Sequence, residues 1–174
     1  MGQPVDREPG APGGVTGLRG RLEGGGARFA IVASRFNELI TERLVEGARA
    51  ALLEHGVAEQ AVDTVSVPGA WELPLAADRV ARTGRYAAII AIGCVIRGET
   101  PHFDFIAAEA ARGLAAVALT SGVPVTFGVL TTETVEQALA RAGGAKGNKG
   151  RDAALAALEL ADLFRRLEGS RAGA

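Results

Sequence analysis

Four short apolar runs, each followed by a helix-length stretch, constrain this 174-residue chain more than any other feature. They are residues 28–33, 62–67, 87–92 and 125–130. Each is too short for a buried helix and fits a buried strand. Between them lie segments with helical marks. In residues 38–55, Ile40, Leu44, Gly47, Ala48, Ala51 and Leu52 recur at helical spacing, and His55-Gly56 closes the run. Residues 73–83 form a second helix ending near Gly84, and residues 106–119, mostly Ala and Leu, form a third. Thr134 with Gln137 resembles a capping box and opens a short helix through Ala142. Residues 151–167 form the last helix. Strands separated by helix-length gaps imply parallel pairing, right-handed crossovers and helices on both faces. The sequence therefore predicts one three-layer α/β/α domain over residues 27–168. A flexible leader rich in Gly and Pro precedes it over residues 1–26, and residues 1–14 read as dispensable.

Composition narrows the function. At 48% hydrophobic the chain can bury a sizeable core, and nineteen Lys+Arg against twenty Asp+Glu leave a net charge of −1. No basic patch invites nucleic acid, and no apolar run is long enough to span a bilayer. The single Cys94 rules out an internal disulfide, and only two His residues are present, without zinc-ligand spacing. The N-terminus lacks the basic-then-apolar order of a signal peptide. A soluble protein of a reducing cytoplasm, with no metal, is expected.

Ligands bind at the carboxyl edge of parallel sheets, so the turns that follow the strands hold the candidate site. After the first strand stands Ser34-Arg35-Phe36-Asn37, not Gly-x-Gly-x-x-Gly, which argues against a dinucleotide site. Asn37 can cap the next helix, and Phe36 is placed either to be buried or to stack on a ligand. After the second strand comes Pro68-Gly69-Ala70-Trp71-Glu72, where Glu72 can bind hydroxyls or cap backbone N–H groups. After the third comes the run from Gly93 to Phe105, with Thr100 as a helix N-cap and Pro101 in the first helical position. A helix N-terminus favours an anion, and Arg97, Thr100 and His102 crowd around this one. His102, in the first helical turn, can accept or pass a proton. Elsewhere, His55 is a helix-end residue, and Arg141 in the last turn of its helix relieves the negative dipole end. Residues 143–150 are a glycine-rich link with Lys146 and Lys149, alone a weak phosphate-loop signal. The apolar residues of 151–167 spread widely around the last helix, which suggests a partner subunit.

Taken together, these turns resemble the lumazine synthase family of the riboflavin pathway. The matching pieces are Arg35-Phe36-Asn37, Val67 through Glu72, Gly93 through His102, Gly128 through Glu133, Arg141-Ala142-Gly143 and Gly147-Asn148-Lys149-Gly150. The resemblance implies a flavodoxin-like strand order and assembly as pentamers. The compact 143–150 link matches members whose pentamers build an icosahedral shell. It implies condensation of 5-amino-6-(D-ribitylamino)uracil with 3,4-dihydroxy-2-butanone 4-phosphate, without a cofactor, and riboflavin synthase as a partner. Carried over by position, Phe36 would stack on the pyrimidine with Asn37 beside it. Ala70, Trp71 and Glu72 would hold the ribityl chain. Cys94, Val95 and Ile96 would line the pyrimidine pocket. Glu99 and Thr100 would bind phosphate, Glu99 through its backbone N–H with its carboxylate turned away. His102 would shuttle protons. Phe127, Arg141 and Lys149 would come from the neighbouring subunit, Arg141 onto the phosphate. Trp71 is larger than the residue usual in the family at that position. A non-catalytic flavin or lumazine carrier of the same fold would keep Phe36 and the pocket but have no need of His102 or Arg141. A chiefly structural shell protein is the other alternative, and it is compatible with catalysis.

Overall fold

The computed structural model describes residues 17–171, so residues 1–16 of the expected leader lie outside the described residues. The chain runs β1 (Phe29–Ser34), α1 (Glu38–Glu54), β2 (Val62–Val67), α2 (Leu73–Ala81), β3 (Ala88–Ile96) and α3 (His102–Ser121). It continues through β4 (Val125–Thr132), α4 (Val135–Arg141), β5 (Ala142–Gly144), β6 (Gly147–Asn148) and α5 (Lys149–Arg171). Single 3₁₀ turns precede β2 at Glu59–Ala61 and α2 at Ala70–Glu72.

The main sheet has the order β2-β1-β3-β4 with every pair parallel, as expected. Side chains alternate across it. Phe29, Ile31, Ile90, Ile92 and Cys94 face one layer with Leu44, Leu52, Ala154 and Leu158 from α1 and α5. Ala30, Val32, Ile89 and Ala91 face the other with Leu73, Ala77, Ala110 and Leu114 from α2 and α3. Burial of both faces explains why β1 and most of β3 read as unbroken apolar runs.

Several local expectations need correction. β3 does not stop at residue 92: residues 93–96 continue the strand because they pair with Val129–Thr132 of a β4 that is also longer than expected. Residues 143–150 are not a plain link but include the β5–β6 hairpin and the first turn of α5. Its glycines carry no apolar alternation, so a strand pattern was invisible. Asn148 within it donates to Arg43 O (2.8 Å) and accepts from Arg151 N (3.1 Å), stitching α5 to α1. Here α1 and α5 nearly touch: a Cβ on Gly47 would overlap the Asn148 side chain, and one on Gly150 would overlap Leu44 O. At Thr134, the hydroxyl accepts from Gln137 N as expected, but Gln137 Oε1 returns its bond to Glu133 N (3.0 Å).

The described part of the leader lies against α5 and the end of α1. Arg21 N donates to Asp162 Oδ2 (2.8 Å), Arg19 Nε reaches Glu159 Oε1 (2.9 Å), and Gly24 N donates to His55 O (2.8 Å). Among the described residues, no helix is long and apolar enough to cross a membrane.

Candidate active site

β1 reaches the carboxyl edge between β2 and β3, the point where the strand order reverses. Backbone bonds continue past the strands, from Arg35 N to Val67 O (2.8 Å) and from Phe36 N to Pro68 O (3.0 Å). They set Phe36 beside the turn that follows β2. The chain then bends at Asn37, whose φ of 60° is left-handed. Asn has a modest tolerance for that region. Asn37 occupies the N-cap position, but its side chain does not cap α1; its Nδ2 donates to Cys94 O (2.9 Å) and ties β1's exit to β3.

A cavity of about 790 Å³ opens at this edge. Its walls are Phe36, the 68–72 turn, Cys94, Val95 and Ile96 of β3, Gly98 and Thr100 of the next turn, and His102, Phe103 and Ile106 of α3. Phe36 is 70% exposed and Trp71 57%, so both rings are available for stacking. Glu72 caps the turn, its Oε2 accepting the Gly69 N–H (2.9 Å), and it also lines the cavity. Cys94 is buried, and burial pushes its thiol up to about 11. It is therefore an apolar wall, not a nucleophile.

At the start of α3, Pro101 takes the N-cap position instead of Thr100. Thr100 and His102 remain at the cavity's wall. Arg97 does not offer a free charge to an anion. Its guanidinium is bidentate to Asp104 (3.0 and 3.2 Å), bonds Glu133 (2.8 Å) and stands 4.2 Å from the Phe103 ring centroid.

Of the residues singled out from sequence, Phe36, Ala70, Trp71, Glu72, Cys94, Val95, Ile96, Thr100 and His102 come together here. Asn37, Glu99, Phe127, Arg141 and Lys149 are not among this chain's lining residues. Phe127 is 47% exposed on β4, the edge strand. Arg141 Nη1 donates to Gln137 O (3.1 Å), the helix-end role expected of it, and Lys149 pairs with Asp152 (2.7 Å). Pro68, Gly69, Gly98, Phe103 and Ile106 also line the cavity, though sequence reasoning assigned none of them a role of its own. Ile106 was within reach of sequence reasoning, since a residue four positions on shares a helix face with His102. Among the described residues, no cluster of three or more His, Cys, Asp or Glu side chains could hold a metal ion.

The arrangement brings stacking surfaces and a helix start with a His onto the walls of one cavity. It can hold a flat heterocycle beside an anionic group and pass protons between them. Residues 26–165 match the sequence model of the 6,7-dimethyl-8-ribityllumazine synthase family, and the chain belongs to that family.

Proposed function

We propose that the 790 Å³ cavity is the place where this chain carries out its family's reaction, and that each pocket is completed by a second copy. The reaction is a transferase step of riboflavin biosynthesis. An amine of 5-amino-6-(D-ribitylamino)uracil adds to the ketone of 3,4-dihydroxy-2-butanone 4-phosphate and water leaves to give an imine. Elimination releases phosphate, and ring closure with loss of a second water gives 6,7-dimethyl-8-ribityllumazine.

The observation that carries the reading is the exposed Phe36 ring facing the same cavity as His102 and Thr100. In this reading, Phe36 stacks on the pyrimidine and the Cys94–Ile96 backbone reads its edge. The 70–72 turn holds the ribityl chain, with Asn37 acting behind the pocket. The Glu99 N–H and Thr100 take the phosphate, and His102 moves protons between nitrogen, oxygen and the leaving group. Holding two reactants together supplies most of the acceleration, with a smaller acid–base contribution. Phe127, Arg141 and Lys149 stand away from this chain's cavity, which supports their service in a neighbour's pocket. The exposed Phe127, Phe105 and Leu119 give apolar surface for such contacts, in keeping with pentamers that build an icosahedral shell and pass product to riboflavin synthase.

Mixing Phe36→Ala and Arg141→Ala subunits tests the sharing. Each variant alone should be nearly inactive. Mixed assemblies, verified by mass, should recover activity, because some pockets take both intact residues from different chains. Verified mixed assemblies with no recovery would overturn the shared pocket.

A further inference from the structure

Arg97 lies just outside the cavity's lining, yet it ties the start of α3, which lines the cavity, to the end of β4. Its backbone N donates to Thr132 O (2.9 Å), and its Nε bonds Glu133 just beyond β4 (2.8 Å). Its two terminal nitrogens grip both oxygens of Asp104 in the first turn of α3 (3.0 and 3.2 Å). Its flat face stands 4.2 Å from the centroid of Phe103, a ring that lines the cavity. The 98–101 turn spanned by this grip has no regular structure, and it carries Gly98 and Thr100 at the cavity wall. We propose that Arg97 is a positioning residue: it fixes the 98–101 turn and the start of α3 so that the phosphate end of the site stays at its productive width.

This rests on reading the cavity as the condensation site. Two features separate positioning from simple stabilisation. Exposed ion pairs contribute little to folding, and Asp104 and Glu133 are 60% and 59% exposed. A bidentate fork, by contrast, fixes direction as well as distance, and a lysine cannot reproduce it. The effect should therefore appear in substrate binding more than in melting temperature.

The test uses the assembled enzyme with Arg97→Lys, Arg97→Ala and Asp104→Asn. Measured are kcat, KM for each substrate, competitive inhibition by inorganic phosphate, and Tm. KM for the butanone phosphate should rise about tenfold in Arg97→Lys and Asp104→Asn, the scale of a small misplacement. The inhibition constant of phosphate should rise with it. KM for the ribitylaminouracil should stay within about twofold, since the Phe36 end is untouched. Arg97→Lys should retain more activity than Arg97→Ala. Unchanged KM and phosphate inhibition in both Arg97→Lys and Asp104→Asn would overturn the proposal, as would equal rises in both KM values. A wild-type protein that made no lumazine would instead overturn the site reading and the proposal with it.

Discussion

Asn37 Nδ2 donates a 2.9 Å hydrogen bond to Cys94 O, joining the exits of β1 and β3 across the crevice where the strand order reverses. Two separable things depend on Asn37: this bond, and a left-handed backbone with φ of 60°. Asn37→Gly keeps the backbone and loses the bond, costing about 1 kcal/mol. Asn37→Ala loses the bond and adds roughly 1–2 kcal/mol of backbone strain. Denaturant unfolding should rank wild type above Gly above Ala. Both variants should turn over more slowly, because Phe36 directly precedes the released turn. Equal stability of the two variants would show that the left-handed backbone is not what selects Asn.

Cys94 contributes backbone, not sulfur chemistry. With its thiol pushed to about 11 by burial, only on the order of 0.1% is thiolate at pH 8. Iodoacetamide should therefore leave the folded protein unlabelled over hours at that pH. Cys94→Ala should keep kcat within about twofold and cost about 1 kcal/mol of stability for the lost packing. Rapid labelling with loss of activity would assign the sulfur a role in the reaction.

His102→Ala should slow turnover about ten- to a hundredfold and not abolish it, since one proton shuttle is a smaller contribution than proximity. The lumazine's absorbance gives the rate directly. Complete inactivity in a folded, assembled variant would make His102 the dominant catalytic group.

Acid should loosen the tie between residues 17–24 and α5. Burial pushes the Asp162 carboxyl up, but the Arg21 N–H, Arg165 and Arg166 outweigh it and leave it below the ordinary value of 3.8. A carboxyl depressed by folding contributes stability above its unfolded value, and that contribution is lost as pH falls through the folded one. Asp162→Asn should thus lower Tm at pH 7, while the gap to wild type narrows as pH falls below 3.8. A gap that persists undiminished in acid would mean that Asp162 acts through packing alone.

The fold was legible because burial on both sheet faces writes strands as apolar runs and helices as spaced ones. Residues 28–33 and 62–67 differ from β1 and β2 by no more than one residue at either end. Strand ends were harder. Gly93 and Cys94 look like an exit turn, yet pairing with Val129 and Leu130 keeps them in β3, and no local signal announces a partner strand. The cavity's Phe36, Trp71 and His102 were visible as polar or aromatic residues at strand exits. Asn37 reads as a helix cap and Arg97 as a cation facing an anion, but partners that no local pattern announces direct the first to Cys94 O and the second to Asp104 with Glu133.

The approach of α1 and α5 at Gly47, Asn148 and Gly150 acts as an index mark between two rods. The missing side chains set how close the helices come, and the Asn148 amide sets where along α1 the second helix begins. Neither helix can slide to absorb a residue gained or lost beyond that mark. Ala145 and Lys146, exposed at the hairpin tip, are free of this constraint. A residue gained at that tip strains only the 2.7 Å bond from Lys146 N to Ala140 O and leaves the register of α5 on α1 in place.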